Sequence, residues 1–389
     1  MGLTVITLMA TGLGINESAA DAARNQKPNQ PVIGAYYANW ETGSHPIAEI
    51  PADSITNLYY SFGGITTDGV CDPSSVPAAD VTALRALKAA HPKLQVSISI
   101  GGWGAPGFSD AALTDASRKK FVSSCMDLYF GAYEGAFDGV DIDWEFPVSG
   151  GPSEITDRPE DKTNATLLVE EFRREMDALG GTHKVLTAAL PTGRLQTDGP
   201  YDPAASFDLR AMGKDLDWIN LMTYAEGTGF SSVSTFDAPM FPVPRDPLGQ
   251  PMKTWNNVAG SVLYYELNGV PANKIVLGVP FYGEGFNVTQ AGSDHGLYQP
   301  YTSTFGVDSW PDVKALIADP SWTEYWNPVA QAPWLYNASE KKFLSFEDPR
   351  SIGIRSGYAK LSGLRGAFMW ELSEDDSDYS MLSAMAAPW

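Results

Sequence analysis

Cysteine is nearly missing from this 389-residue chain, where only Cys71 and Cys125 occur. No CxxC pattern can be drawn from two such distant residues, which excludes a zinc ribbon or a thioredoxin-type motif. The pair either forms one disulfide or stays as two buried thiols. Histidine is also sparse: His45, His91, His183 and His295 stand apart, with no HExxH and no i,i+4 pairing. No metal site and no cofactor is therefore expected. Basic residues are few: Lys plus Arg number 26 against 47 Asp plus Glu, a net charge of −21, and no Lys/Arg-rich run occurs. That balance argues against nucleic acid or an anionic membrane surface as partner, and does not repel a neutral or weakly cationic ligand.

Long apolar runs are missing too. The start, "MGLTVITLMATGLGINESAADAA", holds one short apolar run followed by small residues, too short to span a bilayer. It reads as a secretory leader, although no Lys or Arg precedes the run. The polar "RNQKPNQ" then reads as a linker, so residues 1–30 are assigned to leader and linker and the protein is expected to be extracellular. No other segment is a membrane-span candidate.

Aromatic residues are plentiful. They make up 12% of the chain, with eleven Trp, and their flat faces suit core packing and also stacking against sugar rings. Short β-branched or aromatic runs recur: "VIGAYYA", "ITNLYYSF", "LQVSISI", "FDGVDIDW", "KVLTAAL", "LDWINLMTY", "KIVLGVPFY" and "LRGAFMW". Amphipathic helical stretches such as "ADVTALRALKAA", "ASRKKFVSSCMDLYF" and "ATLLVEEFRREMDAL" fall between many of them. In "EDPRSI", Asp348 is placed to cap a helix with Pro349 in its first turn. Eight strands alternating with helices indicate an α/β fold, a (β/α)8 TIM barrel over residues 31–389. Between "GVPFYG" and Asp348 lie roughly sixty residues, too many for an ordinary loop. They are expected to fold as a small α+β insertion between strands 7 and 8, at about 285–345, that walls a cleft on the C-terminal face.

The densest chemistry lies in "FDGVDIDWEFP". Alternate side chains of a strand point to opposite faces, so Asp141, Asp143 and Glu145 share one face and Val140, Ile142 and Trp144 the other. The acids recur every ~6.6 Å along the strand. Three carboxyls converging in a partly enclosed place cannot all ionise cheaply, so at least one pKa rises. Glu145 ends the strand on this reading, at the C-terminal face where barrel active sites lie, and a raised carboxyl there suits a general acid. Asp138 falls on the opposite face and is expected to organise the strand entrance. From spacing alone, a water-filled polar barrel interior accounts for the acids as well as catalysis does.

The neighbouring motifs tip that balance. "DGVDIDWE" resembles the DxxDxDxE signature of family 18 glycoside hydrolases, the chitinases and their relatives. "SISIGGW" is similar to their SxGG motif, here Ser99, Gly101 and Gly102, and "NLMTY" to their Met-x-Tyr segment, here Met222 and Tyr224. "GVPFYG", with Tyr282, and "GAFMWELSEDD", with Trp370, resemble the last two barrel strands, and "APWLYN…FLSFEDPRSI" the end of the insertion. The resemblance runs from about Pro31 to the C-terminus. It implies hydrolysis of β-1,4 bonds between N-acetylglucosamine units with retention, the substrate's own N-acetyl carbonyl attacking in place of a protein nucleophile. By the same resemblance Glu145 is the acid and then the base. Asp143 orients the acetamido N–H, Asp141 shares a proton with Asp143, and Tyr224 donates to the acetamido oxygen. Trp370 stacks under the sugar, with Trp40, Trp103, Met222 and Tyr282 as further contacts. Ser99, Gly101 and Gly102 are expected to let strands and backbone approach closely.

The chain departs from the family pattern at two positions. Many relatives carry Asp after the Met-x-Tyr tyrosine, where this chain has Ala225, with Glu226 next to it. Many also carry a basic residue where this chain has Glu284. The expectation is a monomeric enzyme acting on chitin or chitooligosaccharides. A chitinase-like lectin is the binding-class alternative, disfavoured because Glu145 is present; an endo-β-N-acetylglucosaminidase is disfavoured by the large insertion. Asn16, Asn164, Asn287 and Asn337 begin N-x-Ser/Thr sequons.

Overall fold

The computed structural model of the chain describes residues 30–192, 202–250 and 252–389. The leader assigned to the N-terminus therefore lies outside the described residues, as does Asn16. Eight parallel strands close a barrel: β1 (Val32–Ala38), β2 (Asn57–Ile65), β3 (Gln95–Gly101), β4 (Gly139–Asp143), β5 (Val185–Pro191), β6 (Trp218–Met222), β7 (Ile275–Pro280) and β8 (Gly366–Trp370). β1 pairs with both β2 and β8, so no edge of this sheet is left open. This is the (β/α)8 architecture expected from the strand–helix alternation.

Each expected strand forms, with ends shifted by a few residues. The shift that bears on function is in β4, which ends at Asp143; Glu145 sits beyond it, where the chain leaves the barrel. The alternation of sides survives. Val140, Ile142 and Trp144 are buried, and Trp144 stacks on Phe108 with ring centroids 5.3 Å apart. Outer helices Ala78–Ala90, Asp115–Cys125 and Asp161–Ala178 coincide with the amphipathic stretches, burying Leu84, Phe121 and Phe172 on the barrel side. Cys71, in the hairpin after β2, is disulfide-bonded to Cys125 at the end of the second of these helices. The bridge settles the choice left open by the sequence.

Between β7 and β8 the chain makes a five-stranded antiparallel sheet from Gly283–Val288, Tyr301–Val307, Trp322–Asn327, Ala332–Asn337 and Lys342–Ser345, with one helix, Trp310–Ala318. It has its own apolar core around Phe236, Phe286, Trp334 and Phe343. The chain then returns through helix Pro349–Leu361, whose N-cap Asp348 accepts from Ser351 N at 2.6 Å in a capping box. Among the described sequons, Asn164 and Asn337 are buried and hydrogen-bonded, and Asn287 is the more accessible.

Candidate active site

Strand register brings the polar row together. Ser99 on β3 is level with Asp141 on β4, which is level with Thr187 on β5. All three project into the barrel, so Asp141 Oδ2 accepts from Ser99 Oγ at 2.8 Å and Oδ1 from Thr187 Oγ1 at 2.6 Å. From farther round the barrel, Tyr36 Oη donates to Oδ2 at 2.8 Å and Asn220 Nδ2 to Oδ1 at 3.2 Å. Asp141 is wholly buried, so desolvation raises its pKa, and these four hydrogen bonds pull it back. Both of its oxygens are thus engaged away from Asp143. Ser99 is more than a spacer, because its hydroxyl is one of the four donors.

One turn of the pleat higher, Asp143 is buried with Oδ1 lacking a hydrogen-bond partner. Burial raises its pKa well above the ordinary carboxyl value, and repulsion from Glu145 and then Asp141 raises it further. Glu145 lies at the cleft floor, ringed by protein atoms, and desolvation lifts its carboxyl far above the ordinary range. Repulsion is mutual, so Asp143 and Glu145 titrate as a pair that gives up its protons reluctantly. At neutral pH this pair retains a proton at the base of an open cleft.

The cleft, about 620 Å³, lies at the C-terminal ends of the strands. Its aromatic floor is built from β1, β2 and β8. Trp370 stacks on Phe62 at 5.7 Å and contacts Tyr36 at 5.7 Å and Trp40 at 6.4 Å. Trp40 and Trp103 are 59% and 49% exposed, large apolar faces left open to solvent within the same cleft. Gly101 and Gly102 have φ of 118° and 93°, and a Cβ on Gly101 would fall 2.0 Å from Asp143 O. Only glycine fits between β3 and the end of β4, and Gly102 N closes the contact by donating to Asp143 O at 2.9 Å.

Tyr224 follows β6 and lines the cleft with Met222 and Tyr282. Its phenol is raised well above the ordinary value, chiefly by burial and then by the Asp143 and Glu145 charges, so it stays a proton donor. A Cβ on Gly278 would come within 2.8 Å of the Tyr224 ring, so this glycine makes room for the phenol. Ala225, with φ 56°, also faces the cleft, whereas Glu226 is buried outside the cleft lining. Glu284 stands on the first insertion strand, again outside the lining. Asp138 sits at the start of β4, where Oδ2 accepts from Val96 N at 3.0 Å and Oδ1 meets Lys88 Nζ at 2.6 Å. It organises the strand entrance and stays apart from the acid row.

Several cleft or network residues were not singled out from the sequence: Tyr36, Thr187 and Asn220 around Asp141, and Phe62, Thr228 and Phe230 in the lining. Tyr36 and Thr187 carried the signal of polar groups on otherwise apolar strands. Phe62 and Phe230 carried none, the first being one aromatic residue among several on β2 and the second an aromatic residue in a turn. Among the described residues, no group of three or more His, Cys, Asp or Glu side chains could hold a metal ion, and no helix is long and apolar enough to cross a membrane.

A parallel barrel with a row of acids opening beneath an aromatic trough has the architecture of a carbohydrate-active barrel. The sequence profile of glycosyl hydrolases family 18 matches residues 32–375, and the chain belongs to that family. It is 34% identical to Chitinase A1 of Niallia circulans over 96% of this chain and 60% of that protein. It is 30% identical to Chitinase 1 of Aphanocladium album over 95% of this chain and 87% of the other. The chain thus spans less than two thirds of the first of these relatives. Among solved structures, chitinase ChiA74 from Bacillus thuringiensis superposes with a TM-score of 0.82 at 27% identity, over 92% of this chain and 70% of that one. A family 18 N-acetylglucosaminidase from Paenibacillus barengoltzii gives 0.81 at 27% identity, over 92% and 100%.

Proposed function

We propose that the chain hydrolyses β-1,4 bonds between N-acetylglucosamine units of chitin and chitooligosaccharides, with retention and with the substrate's acetamido group as internal nucleophile. The observation that carries this reading is the Asp143–Glu145 pair buried at the floor of an aromatic cleft, where desolvation and mutual repulsion raise the carboxyl pKa values so that the two share a proton. Glu145 protonates the glycosidic oxygen as it leaves. The acetamido carbonyl attacks the anomeric carbon from the other side, giving an oxazolinium-type intermediate. Asp143 Oδ1, buried and unpaired, accepts the acetamido N–H and stabilises the positive charge that develops there. Tyr224 donates to the acetamido oxygen. Glu145, now a carboxylate, deprotonates the water that opens the intermediate and returns to its starting state. Asp141 acts through position, tying β4 to β1, β3, β5 and β6 beneath the pair by its four hydrogen bonds.

Trp370 offers the floor on which the sugar at the cleavage point stacks, and Trp40, Trp103, Met222 and Tyr282 offer flanking contacts. The disulfide and the apolar N-terminal run fit an extracellular protein.

The test is incubation with the N-acetylglucosamine hexamer beside a Glu145→Gln variant. The parent should release short oligomers. The variant should bind the hexamer with turnover down by roughly 10²–10⁴-fold, since the amide keeps the shape but has no acidic proton to give. Comparable turnover in the variant would remove Glu145 from its role. Binding without cleavage by the parent itself would move the chain to the lectin reading, with Ala225 and Glu284 as the first residues to replace.

A further inference from the structure

The turn Thr228–Ser231, between β6 and the outer helices, carries Phe230, which is 46% exposed and lines the cleft. The turn closes on itself: Ser231 N donates to Thr228 O at 2.8 Å, Ser231 Oγ accepts from Thr228 N at 3.1 Å, and Phe230 N donates to Thr228 Oγ1 at 3.3 Å. Those bonds leave the carbonyls on either side of Phe230 pointing to the insertion. There the Tyr301 hydroxyl meets both, 2.7 Å from Gly229 O and 2.6 Å from Ser231 O. Its single proton is shared between them.

Tyr301 begins an edge strand of the insertion sheet, Tyr301–Val307. Its ring is seated edge-on against Phe286 at 5.0 Å, in the insertion core. Thr304 on the same strand comes within 3.6 Å of where a Cβ on Gly229 would stand, so the turn is pressed against the strand. Farther along, Ser234 N donates to Gln299 O at 2.9 Å and Tyr298 N to Ser234 O at 2.9 Å, tying the same segment to the insertion a second time. Among the described residues, no ring contact joins Phe230 to the Trp370–Phe62–Trp40 group.

From this geometry we infer that Tyr301 is a positioning residue: its hydroxyl holds both carbonyls flanking Phe230, so that the insertion sets where this aromatic wall stands. The inference rests on the proposed function, since it takes the wall to grip a sugar unit other than the one on Trp370. Two carbonyls fixed on one side of the backbone direct the intervening side chain away from the insertion and into the cleft. The insertion therefore acts at a distance, through a turn it does not itself contain. Tyr301 needs no contact with the sugar to do so.

The experiment is a cycle of three variants, Tyr301→Phe, Phe230→Ala and the double, with two readouts. Hydrogen exchange of the amides in 227–232 reports the turn, and KM and kcat on the N-acetylglucosamine hexamer report the grip. Tyr301→Phe keeps the ring on Phe286, so the unfolding temperature should hold while exchange in the turn rises. KM for the hexamer should increase roughly five-fold with kcat little changed, as expected for one lost hydrogen bond. In the Phe230→Ala background the same change should add almost nothing, because the side chain it positions is gone. Unchanged exchange, or a full effect that persists without Phe230, would overturn the inference. A wild-type chain that neither binds nor cuts the hexamer would overturn the proposed function and the sugar-gripping role together. The exchange comparison would then decide separately whether Tyr301 fixes the turn.

Discussion

Tyr36 Oη lies 2.8 Å from Asp141 Oδ2, joining two strands that stand 105 residues apart in the chain. The same phenol accepts from Asn220 Nδ2 at 3.0 Å, and Asn220 Oδ1 accepts in turn from Tyr59 Oη at 3.2 Å and from Trp218 Nε1 at 3.2 Å. The barrel interior is therefore one connected polar network, anchored on a carboxyl that only accepts. Such networks specify a unique arrangement when every member is satisfied and become costly when one is not.

Replacing Asp141 with Asn puts an N–H pair where donors already converge. Tyr36, Ser99 and Thr187 can rotate their hydroxyl protons, but the Asn220 amide cannot become an acceptor without flipping and breaking its bonds to Tyr59 and Trp218. Denaturant unfolding should show a loss of about 1–3 kcal/mol for Asp141→Asn. Ser99→Ala, which removes one donor and leaves three, should cost less, about 0.5–1.5 kcal/mol. Equal stability of Asp141→Asn and the parent would show that the network does not hold the barrel.

A second buried pair joins the insertion to the barrel. Arg355, on the helix leading to β8, lies 2.7 Å from Glu347 Oε1 as an ion pair, and both side chains are almost fully buried. The guanidinium also donates to Gln331 O in the insertion, to Ser351 O and to Ala238 O in the segment after β6. Removing one partner strands the other charge, so Arg355→Ala should cost about 3–5 kcal/mol. Replacing the pair together, Arg355→Met with Glu347→Leu, should recover part of that loss. If the single variant unfolds at the parent's temperature, the pair does not carry this junction.

Stability should fall as pH rises. Burial raises the carboxyl pKa of Asp141, Asp143, Glu371 and Glu374, and pushes that of Glu145 up to about 8. The unfolded chain ionises its carboxyls at about pH 4. Above that point the unfolded state gives up protons that the fold retains, so folding stability declines through the window from about pH 4 to about pH 8. The net charge of −21 adds self-repulsion in the same direction. Thermal unfolding at constant ionic strength should give a lower midpoint at the alkaline end of that window. A midpoint that climbs across it would contradict the burial argument.

Much of this was legible in the sequence because it depends on spacing. The alternation in "FDGVDIDWEFP" separates acids from apolar side chains whatever the exact strand ends, so Asp141 and Asp143 were placed inward correctly although β4 stops before Glu145. Asp348 followed by Pro349 marked its helix because capping is local chemistry. What stayed hidden depends on register between distant strands. Nothing local says that Tyr36 and Asn220 meet at Asp141, nor that Cys71 reaches Cys125. Nor does adjacency in sequence place Glu226 with Ala225: the backbone turns at Ala225, and Glu226 is buried outside the cleft lining.

The central claim is that Glu145 works as the acid beside a substrate that supplies its own nucleophile, which fixes the stereochemistry of the product. The most direct measurement is proton NMR of the new reducing ends during the first minutes of hexamer hydrolysis, before mutarotation mixes the anomers. The account predicts the β-anomer first. Initial release of the α-anomer would mean direct attack by water, and would contradict it.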